Sequence, residues 1–260
     1  MTDRAPVAIP TLRSVTDEHR AEVLRAMNRA TWRWGAFADY ARTVIIAVAL
    51  FMLARTFVME AFKIPSASME GTLLVGDFLL VDKAVYGAEI PFTHLRMPAF
   101  REPRRGEVIV FHFPKDRVTP YVKRLIGVPG DTVEMRNDTV FVNGAAIREP
   151  YVEHVQADSA DQSLADFDWQ RNFLVTRAEA SAGYHPSRNT WGPLIVPPNS
   201  YFVLGDNRDI SSDSRYWGFV PKSLLIGRPM FVYYSYAHDD KHSYPWLTDI
   251  RWHRLGTIIH

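Results

Sequence analysis

Cysteine is absent from this 260-residue chain, which excludes thiol catalysis, zinc–thiolate sites and iron–sulfur clusters. The absence also suits an oxidising compartment without requiring one. An excess of charge is missing as well, because 30 basic residues nearly balance 29 acidic ones and the formal net charge is +1. Without a basic footprint, nucleic acid is not expected as a partner.

Several common catalytic and metal-binding motifs are missing too. The chain has no G-x-S-x-G, no H-E-x-x-H and no G-x-x-x-x-G-K-[ST] sequence. Asp209, Ser211 and Asp213 would fit the first, third and fifth positions of a calcium loop. The sixth position would then be Ser214 instead of glycine, and the twelfth Val220 instead of glutamate, so no calcium site is predicted. We expect no metal and no cofactor.

Glycine and proline are scarce before residue 63, where only one glycine and two prolines occur among totals of 14 and 17. This part contains the run Thr43–Phe62, whose first twelve residues, TVIIAVALFMLA, carry no charge. A 20-residue helix is about 30 Å long and can cross a bilayer, with Arg55 and Glu60 snorkelling to its surface. We predict an uncleaved transmembrane anchor over residues 43–62. A buried core helix and a cleaved signal sequence are the alternatives.

The first 42 residues are predicted to form a cytoplasmic segment. Leu24, Met27, Thr31 and Trp34 share one helical face beside a stripe of arginines, which indicates an amphipathic helix on the bilayer surface. Seven arginines against five acidic residues favour a cytoplasmic N-terminus and place residues 63–260 on the outer side of the membrane.

Strand signals dominate after residue 75. Glu107–Phe113 is a continuous apolar run, and Val133–Ile147 contains two turn signals, Asn137-Asp138 and Asn143-Gly144, as in a β-meander. No long amphipathic helix pattern follows. We therefore predict a mostly β protein with an antiparallel β-sheet body, in which polar residues 151–189 form an insertion or flexible loop. His112 lies inside a strand-like run and is predicted to be structural.

One nucleophilic arrangement remains open. Two small hydroxyl residues, Ser66 and Ser68, follow a proline directly after the anchor. In a later strand, alternation places Tyr121, Lys123 and Leu125 on one face, where partial desolvation would favour a neutral lysine. Serine with a lysine base is a known form of nucleophilic catalysis. Taken singly, Ser68 also fits an ordinary turn and Lys123 an ordinary solvated charge.

Three ordered runs decide between these explanations. They are IPSASMEGTLLVGDFLLVDK (64–83), EVIVFHFPKDRVTPYVKRLIGVPGD (107–131) and GDNRDISSDSRYWGFVP (205–221). Together with the anchor, they closely resemble the bacterial type I signal peptidases, membrane-anchored serine proteases that remove signal peptides from exported proteins. The first 40 residues and residues 151–189 carry little of the resemblance.

The resemblance implies a role for each matching residue. Ser68 matches the nucleophile and Lys123 the general base, while Ser66 matches a hydroxyl that forms the oxyanion hole with the Ser68 backbone N–H. Ser211 matches a residue that hydrogen-bonds the lysine amine.

Two further sets of residues match by the same resemblance. Polar residues that hold the loop near the lysine are Asp206, Arg208, Asp209, Asp213 and Arg215, and Arg124 is expected to pair with one of the aspartates. Apolar residues that line shallow pockets for small side chains are Phe62, Ile64, Met69, Leu73, Tyr121 and Val122. Gly71 and Ile210 depart from the common pattern, where proline and a polar residue are frequent.

The function predicted from the resemblance is cleavage of secretory pre-proteins at small-x-small sites by a single-pass enzyme of the bacterial inner membrane. Its catalytic domain would be periplasmic, and its partners would be signal peptides, the lipid bilayer and the protein-export machinery. A dedicated pilus- or conjugation-type processing peptidase of the same superfamily is one alternative. A non-enzymatic, anchored β module that binds envelope proteins is another.

Overall fold

The structure, a computed structural model, describes residues 17–87, 89, 93, 95–155, 164–175, 183–237 and 244–260. For residues 17, 18, 26–36 and 164–166 it describes the backbone only. The chain divides into two units, Met1–Leu53 and Ala54–His260.

The N-terminal unit consists mainly of one long helix, α1, which runs over Asp17–Phe57. Within it, Phe37–Phe57 is long and apolar enough to cross a membrane, and none of that stretch is buried. The exposure of its apolar side chains argues against the alternative of a buried core helix. A helix of this length and composition agrees with the predicted membrane-spanning segment.

One predicted boundary is wrong. The helix ends at Phe57 instead of Phe62, because Met59–Lys63 forms a strand that pairs in full with Asp77–Asp82, and ladder hydrogen bonds override the local helical pattern. The helical backbone is continuous from Asp17, and the predicted division into a surface helix and a membrane span stays a prediction. A lone glycine, Gly35, costs a helix only about 1 kcal/mol and does not break it. The side chains of the predicted amphipathic face from Met27 onward lie outside the described residues.

The described residues of the second unit form eleven strands. They are β1 Met59–Lys63, β2 Asp77–Asp82, β3 Val108–His112, β4 Pro120–Gly127, β5 Thr132–Arg136, β6 Thr139–Val142, β7 Ala145–Ala146, β8 Trp191–Ile195, β9 Ser200–Leu204, β10 Val220–Pro221 and β11 Leu225–Ser235. Helices in this unit are short: the α-helical turns Ser214–Trp217 and Pro245–Thr248, and several 3₁₀ segments.

The strands form two antiparallel sheets. A seven-stranded sheet has the order β1-β2-β11-β3-β4-β9-β10, and a four-stranded sheet has the order β7-β6-β5-β8. Every strand pair is antiparallel. The predicted fold class, mostly antiparallel β with an N-terminal apolar helix, is therefore confirmed.

The predicted meander is also confirmed, as β5, β6 and β7. Asn137 and Asp138 have φ angles of 45° and 64°, which are the left-handed values that a tight two-residue hairpin turn requires. Asn143 and Gly144 adopt the same region, with φ of 53° and 79°, and lead into β7.

Strand β3 shows why its sequence is apolar without alternation. Val108 and Val110 pack in one core with Ile64, whereas Ile109 and Phe111 pack in another on the opposite face. A strand covered on both faces buries every residue, which produces a continuous apolar run. The strand therefore lies between two cores, and the catalytic residues predicted from the sequence lie beside one of them.

Part of the predicted insertion is ordered and packed. Leu164–Phe173 forms a 3₁₀ segment in which Phe167 and Gln170 are buried. This segment is not the flexible loop that its polar composition suggested, because its few apolar residues pack against the body of the protein, Trp169 and Phe173 against Phe219. Residues 156–163 and 176–182 of the predicted insertion lie outside the described residues.

Candidate active site

Ser68 lies on a short turn that follows strand β1 and ends at the buried residue Met69. After β1, Ser66 has extended backbone angles (φ −135°, ψ 155°), and a 3₁₀ turn then runs over Ala67–Met69. Met69 is 1% exposed and packs in the core, while Ser68 stays at the surface and is only partly buried. The buried Met69 side chain thus fixes the position of the turn, and the Ser68 hydroxyl next to it remains accessible.

Lys123 reaches this hydroxyl from strand β4. Its backbone pairs with Ile109 of β3, and β9 begins to pair with β4 only at Arg124. The Lys123 Nζ lies 2.6 Å from the Ser68 Oγ, and the two residues are 55 positions apart in the chain. The fold therefore brings the predicted nucleophile and the predicted base into a direct hydrogen bond.

The Lys123 amine is buried and partly surrounded by fixed charges. The residue is 4% exposed, and its Nζ lies 5.7 Å from the centre of the Tyr121 ring. Burial lowers the pKa of Lys123 from 10.5 to about 8, against the opposing effect of the Asp213 and Asp206 carboxylates. A useful fraction of the amine is thus neutral near physiological pH and able to accept a proton.

The loop that follows β9 carries two buried ion pairs next to Lys123. Arg215 binds Asp213 with its Nε at 2.8 Å, and neither side chain is exposed. Burial by itself raises the pKa of Asp213, but the charge and hydrogen bonds of Arg215 hold that pKa below its usual value. Asp206 forms the second pair with Arg124 at 2.8 Å, as predicted from the sequence. These charges are mutually compensated, so Lys123 does not have to remain protonated as their counter-ion.

The outer residues of this loop also form ion pairs. Arg208 binds Glu149 in a bidentate arrangement, and Asp209 lies 3.6 Å from Arg188. Arg208 is 2% exposed. These pairs fix the course of the loop and include neither Ser68 nor Lys123.

Ser211 does not make the predicted hydrogen bond to the lysine amine. Its hydroxyl is buried and has no hydrogen-bond partner among the described residues. Its side chain packs closely against Gly205, where an added Cβ would lie 2.1 Å from the Ser211 Oγ. Lys123 instead directs its hydrogen bond to Ser68.

Ser66 lies beside Ser68, with its Oγ 3.4 Å from the Ser68 Oγ. The side chain is exposed to the cleft and is not engaged in capping the following turn. Its hydroxyl is therefore able to rotate toward a substrate atom bound at Ser68. The oxyanion role of Ser66 stays a prediction.

A cleft of about 540 Å³ opens in front of Ser68 and Lys123. Five of the six predicted pocket residues line it: Phe62, Ile64, Met69, Tyr121 and Val122. Leu73 does not, and this prediction is wrong, because Leu73 is fully buried in the core beneath the cleft. No histidine is among the described residues that line the cleft.

Sequence reasoning missed several contributors to this site. Thr119, Pro120 and Ser212 line the cleft, as does Ile210, which is 45% exposed and was noted only as a departure from a pattern. These residues lie beside or within the YVKR and SSDSR runs, and this position in the sequence is the signal that could have identified them.

Gly205 and two residues of the insertion were missed because no local pattern marks them. An added Cβ on Gly205 would lie 2.4 Å from the Ser68 backbone oxygen, so the turn that carries Ser68 packs directly against this glycine. Trp169 and Gln170 each donate a hydrogen bond of 3.0 Å to the Arg215 carbonyl. The insertion therefore supports the loop that carries the buried ion pairs.

The described residues include no group of three or more His, Cys, Asp or Glu side chains that could hold a metal ion. The chemistry offered by the cleft is that of a hydroxyl, a buried amine and polar groups around them. This set suits attack on a carbonyl carbon with general-base assistance.

Comparison with known proteins gives a consistent result. The family model described as "Signal peptidase, peptidase S26" matches residues 37–234. The chain is 34% identical to signal peptidase I of Buchnera aphidicola subsp. Acyrthosiphon pisum (strain APS), over 82% of this chain and 79% of that protein. It is 30% identical to signal peptidase I of Pseudomonas aeruginosa, over 98% of this chain and 89% of that protein.

A solved structure is also similar in sequence. The signal peptidase I of Enterococcus faecalis V583 is 33% identical, with a TM-score of 0.32, over 50% of this chain and 98% of that one. The family match covers the apolar helix, Ser68, Lys123 and the loop after β9 in one continuous span. The chain belongs to the signal peptidase family, peptidase S26.

Proposed function

We propose that Ser68 and Lys123 are the catalytic dyad with which this membrane-bound serine endopeptidase removes signal peptides from secretory pre-proteins. The endopeptidase class follows from membership of the family. The observation that carries the assignment of residues is the 2.6 Å contact between the Ser68 Oγ and a lysine amine that is 4% exposed.

The reaction begins with neutral Lys123, which accepts the proton of the Ser68 hydroxyl as the Oγ attacks the scissile carbonyl carbon. The tetrahedral intermediate collapses when its C–N bond breaks, and the Lys123 ammonium gives its proton to the leaving amine. The signal peptide is then held as an ester of Ser68. Lys123 next takes a proton from water, whose hydroxide hydrolyses the ester and restores the serine.

The negative oxygen of each tetrahedral intermediate needs hydrogen-bond donors. The Ser68 backbone N–H and the Ser66 hydroxyl supply them in this proposal, since both lie beside the Ser68 Oγ. Loss of one such donor typically lowers kcat by about 10²- to 10³-fold. Ser66→Ala is expected to fall in this range.

Small side chains before the scissile bond are selected by the apolar wall of the cleft. Ile64 is buried and Val122 partly buried, and both belong to or pack against one core cluster under the dyad. Because the packed core prevents these wall residues from moving, the pocket cannot widen and larger side chains are excluded.

Ile64→Ala should enlarge this pocket and admit larger residues at the cleavage site, with a change in discrimination of about 1–3 kcal/mol. The measurement is the ratio of kcat/KM for peptides that carry alanine or valine immediately before the scissile bond. Val122→Ala is tested in the same way. Unchanged ratios in both variants would remove these residues from the pocket.

The apolar helix suggests how the enzyme meets its substrate. In this proposal the helix crosses the bacterial inner membrane once, the N-terminus is cytoplasmic and the β-rich unit is periplasmic, in contact with the bilayer and with the protein-export machinery. The support is the excess of arginine before the span, seven against five acidic residues. Confinement to the membrane plane raises the effective concentration of enzyme and signal peptide.

Protease added to intact spheroplasts should therefore digest the β-rich unit and spare the first 40 residues. Digestion is followed with antibodies or tags at each end of the chain. Loss of the N-terminal tag in intact spheroplasts, or digestion of the β-rich unit only after lysis, would exclude this topology.

The proposed function is tested directly by incubating the detergent-solubilised protein with a secretory precursor. The wild-type protein should release the mature product, and Ser68→Ala should not. Cleavage of several unrelated precursors separates general signal peptide processing from the narrower activity of a dedicated pilus- or conjugation-type peptidase. Cleavage by Ser68→Ala at the wild-type rate would refute the assignment.

A further inference from the structure

A second cleft continues the substrate groove beyond the pocket that faces the dyad. Its volume is about 290 Å³. Phe62 of β1 and Pro120 of β4 line both clefts, so these two side chains form the boundary that the clefts share. Beyond them lie His112 and four charged residues, Glu60, Lys83, Glu89 and Arg96.

The lining of the second cleft differs in chemistry from that of the first. Glu60 and Lys83 form an ion pair of 3.1 Å across β1 and the end of β2, with side-chain exposures of 41% and 18%. Val118 and Pro120 add an apolar wall, and a hydrogen bond from His112 Nδ1 to the Val118 carbonyl, 3.0 Å long, holds this wall in place. The cleft thus combines an accessible charged pair with room for the stem of a side chain.

The strand periodicity relates this cleft to a bound substrate. Glu60 and Phe62 lie two residues apart on β1, and Pro120 and Val122 lie two apart on β4, so each pair faces the same side. An extended peptide between these strands repeats its side chains on one face every two residues, about 7 Å apart. If the first and third residues before the scissile bond occupy the first cleft, the fifth reaches past Phe62 into the second.

The direction of the peptide follows from the chemistry of a signal peptide. Its apolar segment precedes the cleavage site and lies in the membrane. Strand β1 begins at Met59, two residues after the apolar helix ends at Phe57. Residues before the scissile bond therefore run from Ser68 back along β1 toward Glu60.

We infer that the second cleft is a binding site for the fifth residue before the scissile bond and that it selects a polar, hydrogen-bonding side chain there. This inference rests on the proposed function. An apolar side chain would cover the Glu60–Lys83 pair and remove its water without replacing the lost hydrogen bonds, which is costly for charged groups. A glutamine can satisfy these groups while its stem packs against Phe62.

This site would set the register of cleavage. The first cleft requires small residues next to the cut, and the second requires that the apolar segment has ended by the fifth residue. A candidate small-x-small sequence inside the apolar segment would place leucine or valine against the ion pair and be rejected. The spacing of the two clefts thereby fixes the minimum number of residues between the membrane-embedded segment and the scissile bond.

The test uses the full-length enzyme in detergent and peptides that share alanine at the first and third positions. The fifth position is glutamine or leucine. The wild-type enzyme should cleave the glutamine peptide with a kcat/KM about tenfold higher than that for the leucine peptide. In Glu60→Leu/Lys83→Met, where the ion pair is replaced by apolar side chains, the preference should weaken or reverse. The matched control Lys222→Met removes a lysine from an ion pair outside both clefts and should retain the wild-type preference.

A second peptide pair exchanges glutamine for leucine at the fourth position, which faces the opposite side of an extended chain. Its ratio should be the same in the wild type and in the double variant. Equal cleavage of the fifth-position peptides by the wild type would overturn the inference without any variant having to fold, as would an unchanged preference in a double variant that cleaves. Failure of the wild type to cleave any peptide or precursor would instead refute the proposed function.

Discussion

Lys123→Arg should abolish cleavage of a secretory precursor. The guanidinium of arginine cannot be deprotonated in a protein, so it cannot accept the Ser68 proton although it keeps the positive charge and much of the length of lysine. Loss of a general base typically costs about 10²- to 10⁴-fold in kcat. The measurement is the single-turnover rate of precursor cleavage with excess enzyme.

The pH dependence of the wild-type enzyme should report the same amine. Burial lowers the pKa of Lys123 to about 8, and the base acts only when neutral. Activity should therefore be low below that pH, rise through a single ionisation near 8 and reach a plateau above it. A free lysine would shift this rise to about 10.4, and a histidine would shift it to about 6.5.

Lys222→Arg is the matched control for this experiment, because Lys222 is a partly exposed lysine whose amine pairs with Glu102. It should cleave at the wild-type rate, and each single histidine substitution should leave most of the activity. Substantial cleavage by Lys123→Arg would contradict the mechanism. A histidine variant as inactive as Ser68→Ala would contradict it equally.

Gly205→Ala should lower kcat by about 100-fold, even though residue 205 takes no part in the chemistry. Its added methyl group would lie 2.1 Å from the Ser211 Oγ and 2.4 Å from the Ser68 backbone oxygen, so the turn that carries Ser68 must shift. A displacement of about 1 Å at a reacting group can cost 10²-fold in rate. The measurement is kcat/KM together with the thermal unfolding of the same preparation.

Gly127→Ala separates this effect from general crowding. Its added methyl group would lie 2.7 Å from Val133 Cγ1 and 2.9 Å from Val196 Cγ2, in the core of the four-stranded sheet. Both variants should be destabilised by about 1–3 kcal/mol, as is usual for overpacking. Only Gly205→Ala should lose activity out of proportion to its stability, and equal losses in the two variants would show that Gly205 has no special relation to Ser68.

The second unit was predictable because its signals are local. A strand buried on both faces is apolar throughout, as in Val108–His112, and a two-residue turn with left-handed angles selects residues such as Asn137 and Asp138. The end of the helix was not predictable. Residues 59–62 extend an apolar run and were included in the predicted span, and only the ladder with β2 makes Met59–Lys63 a strand.

The candidate site was predictable to the extent that its residues lie within recognisable runs. The wrong predictions concern how individual side chains in these runs pack against the rest of the protein. Leu73 is as apolar as the lining residue Met69, and nothing local distinguishes a side chain that faces the cleft from one in the core. Ser211 lacks its expected partner because of how closely the loop approaches Gly205, which is a matter of packing between distant segments.

The sequence by itself determined the family, the apolar span, the β-rich class, and the runs that contain Ser68 and Lys123, because each of these depends on composition, periodicity or a continuous run. Only the tertiary structure decided that Ser68 and Lys123, 55 residues apart, meet at 2.6 Å, and that the lysine is buried enough to lose its proton near pH 8. It also decided that β1 and β4 share a second cleft beyond Phe62. Distances and desolvation arise from contacts between segments remote in the chain, and such contacts leave no local pattern from which they can be read.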